Sequence, residues 1–110
     1  MRKALICTSA FFGLVVAGGV PMKAQNAGNA AKGKEVFEQC SVCHNADSDE
    51  KKVGPALKGL FKREKLVNGK PVTEENVRAL INAGGNGMPA YDEILSAEDK
   101  DNVIAYLKTL

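Results

Sequence analysis

Tryptophan is absent from this chain, and histidine occurs once, at His44. A single imidazole excludes any site that needs two of them from one subunit. Aromatic residues make up only 5% of the sequence. The core therefore has few large rings to draw on, and small domains of this kind often need an added staple. No internal repeat is visible. There is also no large excess of one charge: 15 basic residues stand against 13 acidic ones. Three of the basic residues (Arg2, Lys3 and Lys23) lie in a leader-like segment, which leaves 12 against 13 and a formal charge of −1 for the rest. That balance excludes a nucleic-acid binder on electrostatic grounds. It also argues against a strongly lysine-rich surface that would steer an acidic partner.

The start of the chain is the one long apolar run. Met1-Arg2-Lys3 is positive, Ala4 to Val20 carries no charge, and Pro21-Met22-Lys23-Ala24 is a more polar break that ends on a small residue. This is the order of a secretory signal peptide, with cleavage expected after Ala24. The run is at the short end for a membrane span, so an uncleaved anchor is the alternative. Export places the mature chain in the periplasm and removes Cys7. The two cysteines that remain are Cys40 and Cys43.

Those two cysteines stand in Cys40-Ser41-Val42-Cys43-His44. Cys-x-x-Cys-His is the attachment signature of a covalent c-type haem. Two thiols add to the two porphyrin vinyl groups as thioethers, and the adjoining imidazole is placed to bind the iron. The spacing suits a helical turn, where positions three and four apart share a face. A thioredoxin-like dithiol would need a preceding strand, and none is legible upstream. A structural zinc would need four protein ligands, and the mature chain offers only these three. Haem attachment is the reading, with dithiol or zinc chemistry as the alternatives.

Residues 25–31 are small and polar and read as a flexible lead-in to one domain over 32–110. Helical periodicity dominates that domain. From Ala30 to about Cys40, residues Gly33, Val36, Phe37 and Cys40 share a face. A turn at Val53-Gly54-Pro55 precedes a short apolar piece, Ala56 to Phe61, and Asn68-Gly69 marks a second turn. Thr73 is an N-cap candidate with Glu74 and Glu75 behind it. The helix it opens turns Val77, Leu80 and Ile81 inward and stops at Gly84-Gly85. Ser96 with Asp99 makes a capping box for a last helix, which presents Val103, Ile104, Leu107 and Leu110 on one stripe. The predicted fold is all-α, with three to five short helices wrapped around one haem.

An iron held by His44 has an opposite axial position. With no second histidine, Met88 is the remaining soft donor after the leader is removed. It lies in Gly84-Gly85-Asn86-Gly87-Met88-Pro89. The glycines let backbone approach a flat group closely, and Pro89 biases Met88 toward an extended conformation. A thioether opposite an imidazole raises the reduction potential. The plainer alternative is a core methionine in a glycine-rich turn.

Taken together, the helix into Cys40–His44, the Gly54-Pro55-x-Leu57 step, the Met88-Pro89 loop and the C-terminal helix resemble a small class I, monohaem cytochrome c from Gly33 to Leu110. The resemblance implies a backbone carbonyl of Pro55 bonded to His44, Leu57 packed beside the haem, and a close crossing of the terminal helices through Gly33, Phe37 and Tyr106. It also implies a partner for the haem propionates, for which Arg63, Asn68 and Tyr91 are candidates. Lys51, Lys52, Lys58 and Lys62 either ring an exposed haem edge or form a solvated face.

The implied function is a soluble, monomeric, periplasmic one-electron carrier, not an enzyme. It would hold one haem c per chain, bind iron through His44 and Met88, and dock transiently with redox proteins at the haem edge. The alternatives are a dedicated cytochrome subunit of a periplasmic dehydrogenase or reductase, or a haem peroxidase or gas-binding protein with a displaceable Met88.

Overall fold

The computed structural model describes residues 28–110; the expected signal peptide over 1–24 lies outside them. The order of elements is helix α1 (Ala30–Phe37), a short 3-10 helix (Leu60–Lys62), α2 (Glu74–Ala83) and α3 (Ala97–Leu107). No extended sheet occurs among the described residues, only isolated bridges at Lys65–Pro71 and Gly85–Met88. The chain is all-α, as the periodicity predicts.

Each helix begins where a side chain satisfies the free amides of its first turn. Asn29 accepts from the Lys32 amide at 3.1 Å, and Thr73 accepts from the Asn76 amide at 3.1 Å. In α3 the capping is reciprocal: Ser96 Oγ accepts from the Asp99 amide at 3.0 Å, and Asp99 Oδ2 accepts from the Ser96 amide at 3.3 Å. Helix α1 starts inside the stretch read as a lead-in. The Asn29 amide donates to Asn102 Oδ1 on α3 at 2.8 Å, which fixes the entry point. Helix α1 also ends earlier than the pattern suggests, at Phe37 rather than near Cys40. The Phe37 carbonyl accepts from both Cys40 N (2.7 Å) and Ser41 N (2.9 Å), so the chain tightens into turns just ahead of the motif.

The principal helix pairing is α1 against α3. Gly33 makes it possible, because a Cβ there would sit 1.9 Å from the Asn102 carbonyl oxygen. One turn on, Phe37 and Tyr106 meet with ring centroids 5.3 Å apart and planes tilted by 53°, a favourable edge-on geometry. Val103, Ile104 and Leu107 from α3, Val77 from α2, and Leu60 and Leu66 from the intervening segment complete the buried core. Helix α2 is held to α3 by ion pairs Arg78–Asp101 and Glu74–Lys108.

Candidate functional site

The five residues 40–44 form a single helical turn. Cys43 N and His44 N both donate to the Cys40 carbonyl, at 3.1 and 3.0 Å. That wrap brings Cys40, Cys43 and His44 to one side, as their spacing predicts. The segment 54–57 then returns alongside it. Gly54 N donates to Cys43 O at 2.7 Å, and Leu57 N donates to Asn45 O at 2.8 Å.

The return places the Pro55 carbonyl 2.7 Å from His44 Nδ1. A carbonyl only accepts, so Nδ1 carries the proton and Nε2 holds the free lone pair. Gly54 makes room for the ring: a Cβ there would lie 2.5 Å from Cε1 of His44. Leu57, two residues beyond Pro55, packs against the core. Arg63 holds this segment from outside, its guanidinium donating to the carbonyls of Ala56 (2.9 Å) and Lys58 (2.8 Å). Asn68 is occupied within its own turn, accepting from the Lys70 amide.

Cys40 and Cys43 are free thiols, both half-buried. Burial, and secondarily the neighbouring Cys43, hold the Cys40 thiol above its ordinary range. Among the described residues, no three His, Cys, Asp or Glu side chains converge to hold a metal ion. A surface crevice of about 460 Å³ opens next to the turn, with Phe37, Ser41, His44 and Tyr106 among its walls. Its lining includes none of Cys40, Cys43, Leu57 and Met88, so it is separate from the thiol cluster.

Met88 is presented by a loop whose backbone requires its unusual composition. Residues Gly84, Gly85, Asn86 and Gly87 all have positive φ, at 62, 122, 51 and 90°. That run is open to glycine and, among other residues, most readily to asparagine. Gly85 and Met88 exchange two backbone hydrogen bonds of 3.0 Å around Asn86-Gly87, the pattern of a tight turn with two left-handed central residues. The Asn86-Gly87 step is the sequence signal of that turn. Gly84 seats the loop closely, since a Cβ there would meet the Met88 carbonyl oxygen at 2.4 Å. Beyond Met88, Tyr91 N donates to Ile81 O at 3.0 Å. Burial comes first, then the charges of Cys40 and Cys43, in raising the Tyr91 hydroxyl above the ordinary phenol range.

A family model described as cytochrome c oxidase, cbb3-type, subunit III matches residues 28–107. The chain belongs to the class I cytochrome c family. It is 32% identical to a cytochrome c2 of Agrobacterium tumefaciens over 73% of this chain and 90% of that protein. It is 51% identical to a cytochrome c2 of Blastochloris viridis over a shorter stretch, 47% of this chain and 41% of that one. The solved cytochrome c6 of the diatom Phaeodactylum tricornutum superposes with a TM-score of 0.60 at 27% identity, covering 74% of this chain and 93% of the other. This is a family of electron-transfer proteins rather than enzymes, and membership implies a covalent haem c. The donor set suits that group. It offers two thiols not joined to each other, an imidazole whose Nδ1 is already engaged, and a glycine cradle beside the ring.

Proposed function

We propose that this cytochrome is a periplasmic one-electron carrier with one haem c bound through thioethers to Cys40 and Cys43, and with His44 Nε2 and Met88 Sδ as axial ligands. The observation that carries the reading is the 2.7 Å bond from His44 Nδ1 to the Pro55 carbonyl. It holds the ring in one tautomer, leaves Nε2 free toward a metal, and makes the imidazole a better donor. The haem supplies reversible one-electron exchange at its iron. The chain does the rest: Cys40 and Cys43 anchor the group, Pro55 and Gly54 orient His44, and the 84–88 loop presents a soft thioether that favours the reduced state.

With His44 and Met88 both given to the iron, no position would be left for a substrate, as a carrier requires. Docking is read as transient, at the haem edge beside the attachment turn. Val42, between the two cysteines, is 73% exposed, and Val53 is 78% exposed. Lys52, next to Val53 in the chain, donates its ammonium to the carbonyl of Ser41, next to Val42, at 3.1 Å. A small apolar spot with a polar rim is the expected form of a weak redox contact. Export rests on the leader over 1–24. Among the described residues, no helix is long and apolar enough to cross a membrane.

A second reading is favoured by the family model itself, which describes an oxidase subunit. On that reading the chain is a fixed cytochrome subunit, and size-exclusion of a native periplasmic extract separates the two. Haem absorbance at the mass of the free chain supports the carrier; absorbance only in a large complex supports the subunit.

Oxidised and reduced spectra test the central claim. A low-spin iron is expected, with a far-red band in the ferric state that disappears in Met88→Ala. High-spin ferric iron with peroxidase turnover in the unmodified protein overturns it. Cys40→Ser combined with Cys43→Ser is expected to lose all haem stain on denaturing gels, and retained colour contradicts covalent attachment.

A further inference from the structure

Lys100 is the one strongly buried cation among the described residues, at 7% exposure. Burying an ammonium is costly unless it is paired and hydrogen-bonded. Its carboxylate partner, Asp92, compensates only in part, because the Asp92 side chain is 70% exposed and its Oδ1 lies 3.3 Å away. The shorter bond, at 3.0 Å, runs from Lys100 Nζ to the Asp92 backbone carbonyl. A leucine or methionine would fill the same space without the desolvation cost. What the ammonium adds is a grip on that carbonyl.

The carbonyl stands four residues beyond Met88, where the loop leaves. Of the four ion pairs among the described residues, Lys32–Glu98, Arg78–Asp101 and Lys108–Glu74 join one helix or helix end to another. Lys100–Asp92 alone joins a helix to the segment that follows the Met88 loop. That exit is held at two neighbouring points, by the Ile81 carbonyl at Tyr91 N and by Lys100 at Asp92 O. The chain then turns through Ile94 N and Leu95 N, both donating to Tyr91 O, into buried Leu95. The turn at Asn86-Gly87 shapes the tip of the loop but ties it to no other element.

We propose that Lys100 is a positioning residue for Met88. By clamping the loop exit onto α3, it limits how often the thioether leaves its axial place to an outside ligand. The inference rests on Met88 being an axial ligand, as proposed above. A ligand that binds only the open loop has an apparent affinity proportional to the open population. Losing a hydrogen bond from a charged donor is enough to raise that population about tenfold.

The test is imidazole binding to the ferric holoprotein, followed by loss of the far-red band. Lys100→Met, which keeps the apolar stem, is expected to carry full haem and to bind imidazole about tenfold more tightly than the parent. Lys100→Gln, too short to reach the carbonyl, is expected to shift in the same direction. Lys108→Met removes a different ion pair at the end of α3, with Glu74, without touching the loop, and is expected to stay within about twofold of the parent. Parent-like affinity in Lys100→Met overturns the proposal, as does an equal tightening in Lys108→Met, which would signal general loosening. If Lys100→Met yields no holoprotein, Lys100→Gln decides, and affinity within twofold of the parent overturns it. Failure of the underlying reading looks different: the far-red band would then survive Met88→Ala, whatever the Lys100 variants do.

Discussion

The His44 side of the site and the Met88 side are built by different means. Around His44, every polar contact comes from nearby sequence: Cys40 O to His44 N, Cys43 O to Gly54 N, and Pro55 O to Nδ1, all within fifteen residues. Around Met88, the local chain supplies a tight turn of positive-φ residues, and the fastenings are as near in sequence, but they come from helices: Ile81 on α2 and Lys100 on α3. The first side is a short cross-braced unit whose geometry is largely set once residues 40–57 fold. The second depends on how two helices have packed. Strain on the His44 side should therefore cost haem, whereas strain on the Met88 side should cost only the methionine.

The largest effect is expected from Gly54→Ala. The new Cβ would lie 2.5 Å from the His44 ring, and Gly54 is tied to Cys43 by its own amide, so neither side yields easily. Overpacking of about 1–3 kcal/mol corresponds to a fall in holoprotein of roughly fivefold to 150-fold. Haem stain per unit of immunoblotted chain measures it, and undiminished stain would break the contrast from the His44 side.

Gly84→Ala comes next. Its φ of 62° with ψ of −147° is open to glycine alone, and its Cβ would meet the Met88 carbonyl. A cost of about 1–3 kcal/mol falls on the loop. The far-red band should weaken or vanish while covalent haem stays at the parent level. Loss of haem in step with the band would show that the two sides are not separable.

Pro55→Ala is the mildest. The carbonyl remains, so the bond to Nδ1 can form, and only its rigidity is reduced. Haem content should be unchanged, with the potential shifted by less than about 60 mV, the equivalent of tenfold in a one-electron equilibrium. Protein-film voltammetry reads the shift. A larger change, or loss of haem, would give proline itself a role that the carbonyl bond does not explain.

The helix starts at Thr73 and Ser96, the stop at Gly84, and the apolar stripes of α1 and α3 were legible because each depends on a few adjacent residues. The end of α1 was misplaced by three residues, since the turns at Glu38–Cys43 follow from the Phe37 carbonyl taking two donors rather than from any break in periodicity. Arg63 read as a propionate candidate, and the structure gives its Nη2 a second task, donating to the Ala56 and Lys58 carbonyls. Nothing in the apolar stripe of the last helix, Val103, Ile104, Leu107 and Leu110, marks Lys100 or Asn102 for burial. Both are buried, because Gly33 lets α1 close onto one side of α3 and the 92–95 segment covers another.

From the sequence alone came the Cys40–His44 turn, the single histidine that turns attention to Met88, the capped helices and the glycine run that Met88 needs. All of these are decided by short-range sterics and by residue chemistry, which a contiguous string carries in full. Only the tertiary structure decided what holds the Met88 loop at its exit and why a lysine is buried on α3. Those depend on groups from 8 to 73 residues apart meeting within about 3 Å, and that proximity arises from helix packing rather than from local pattern.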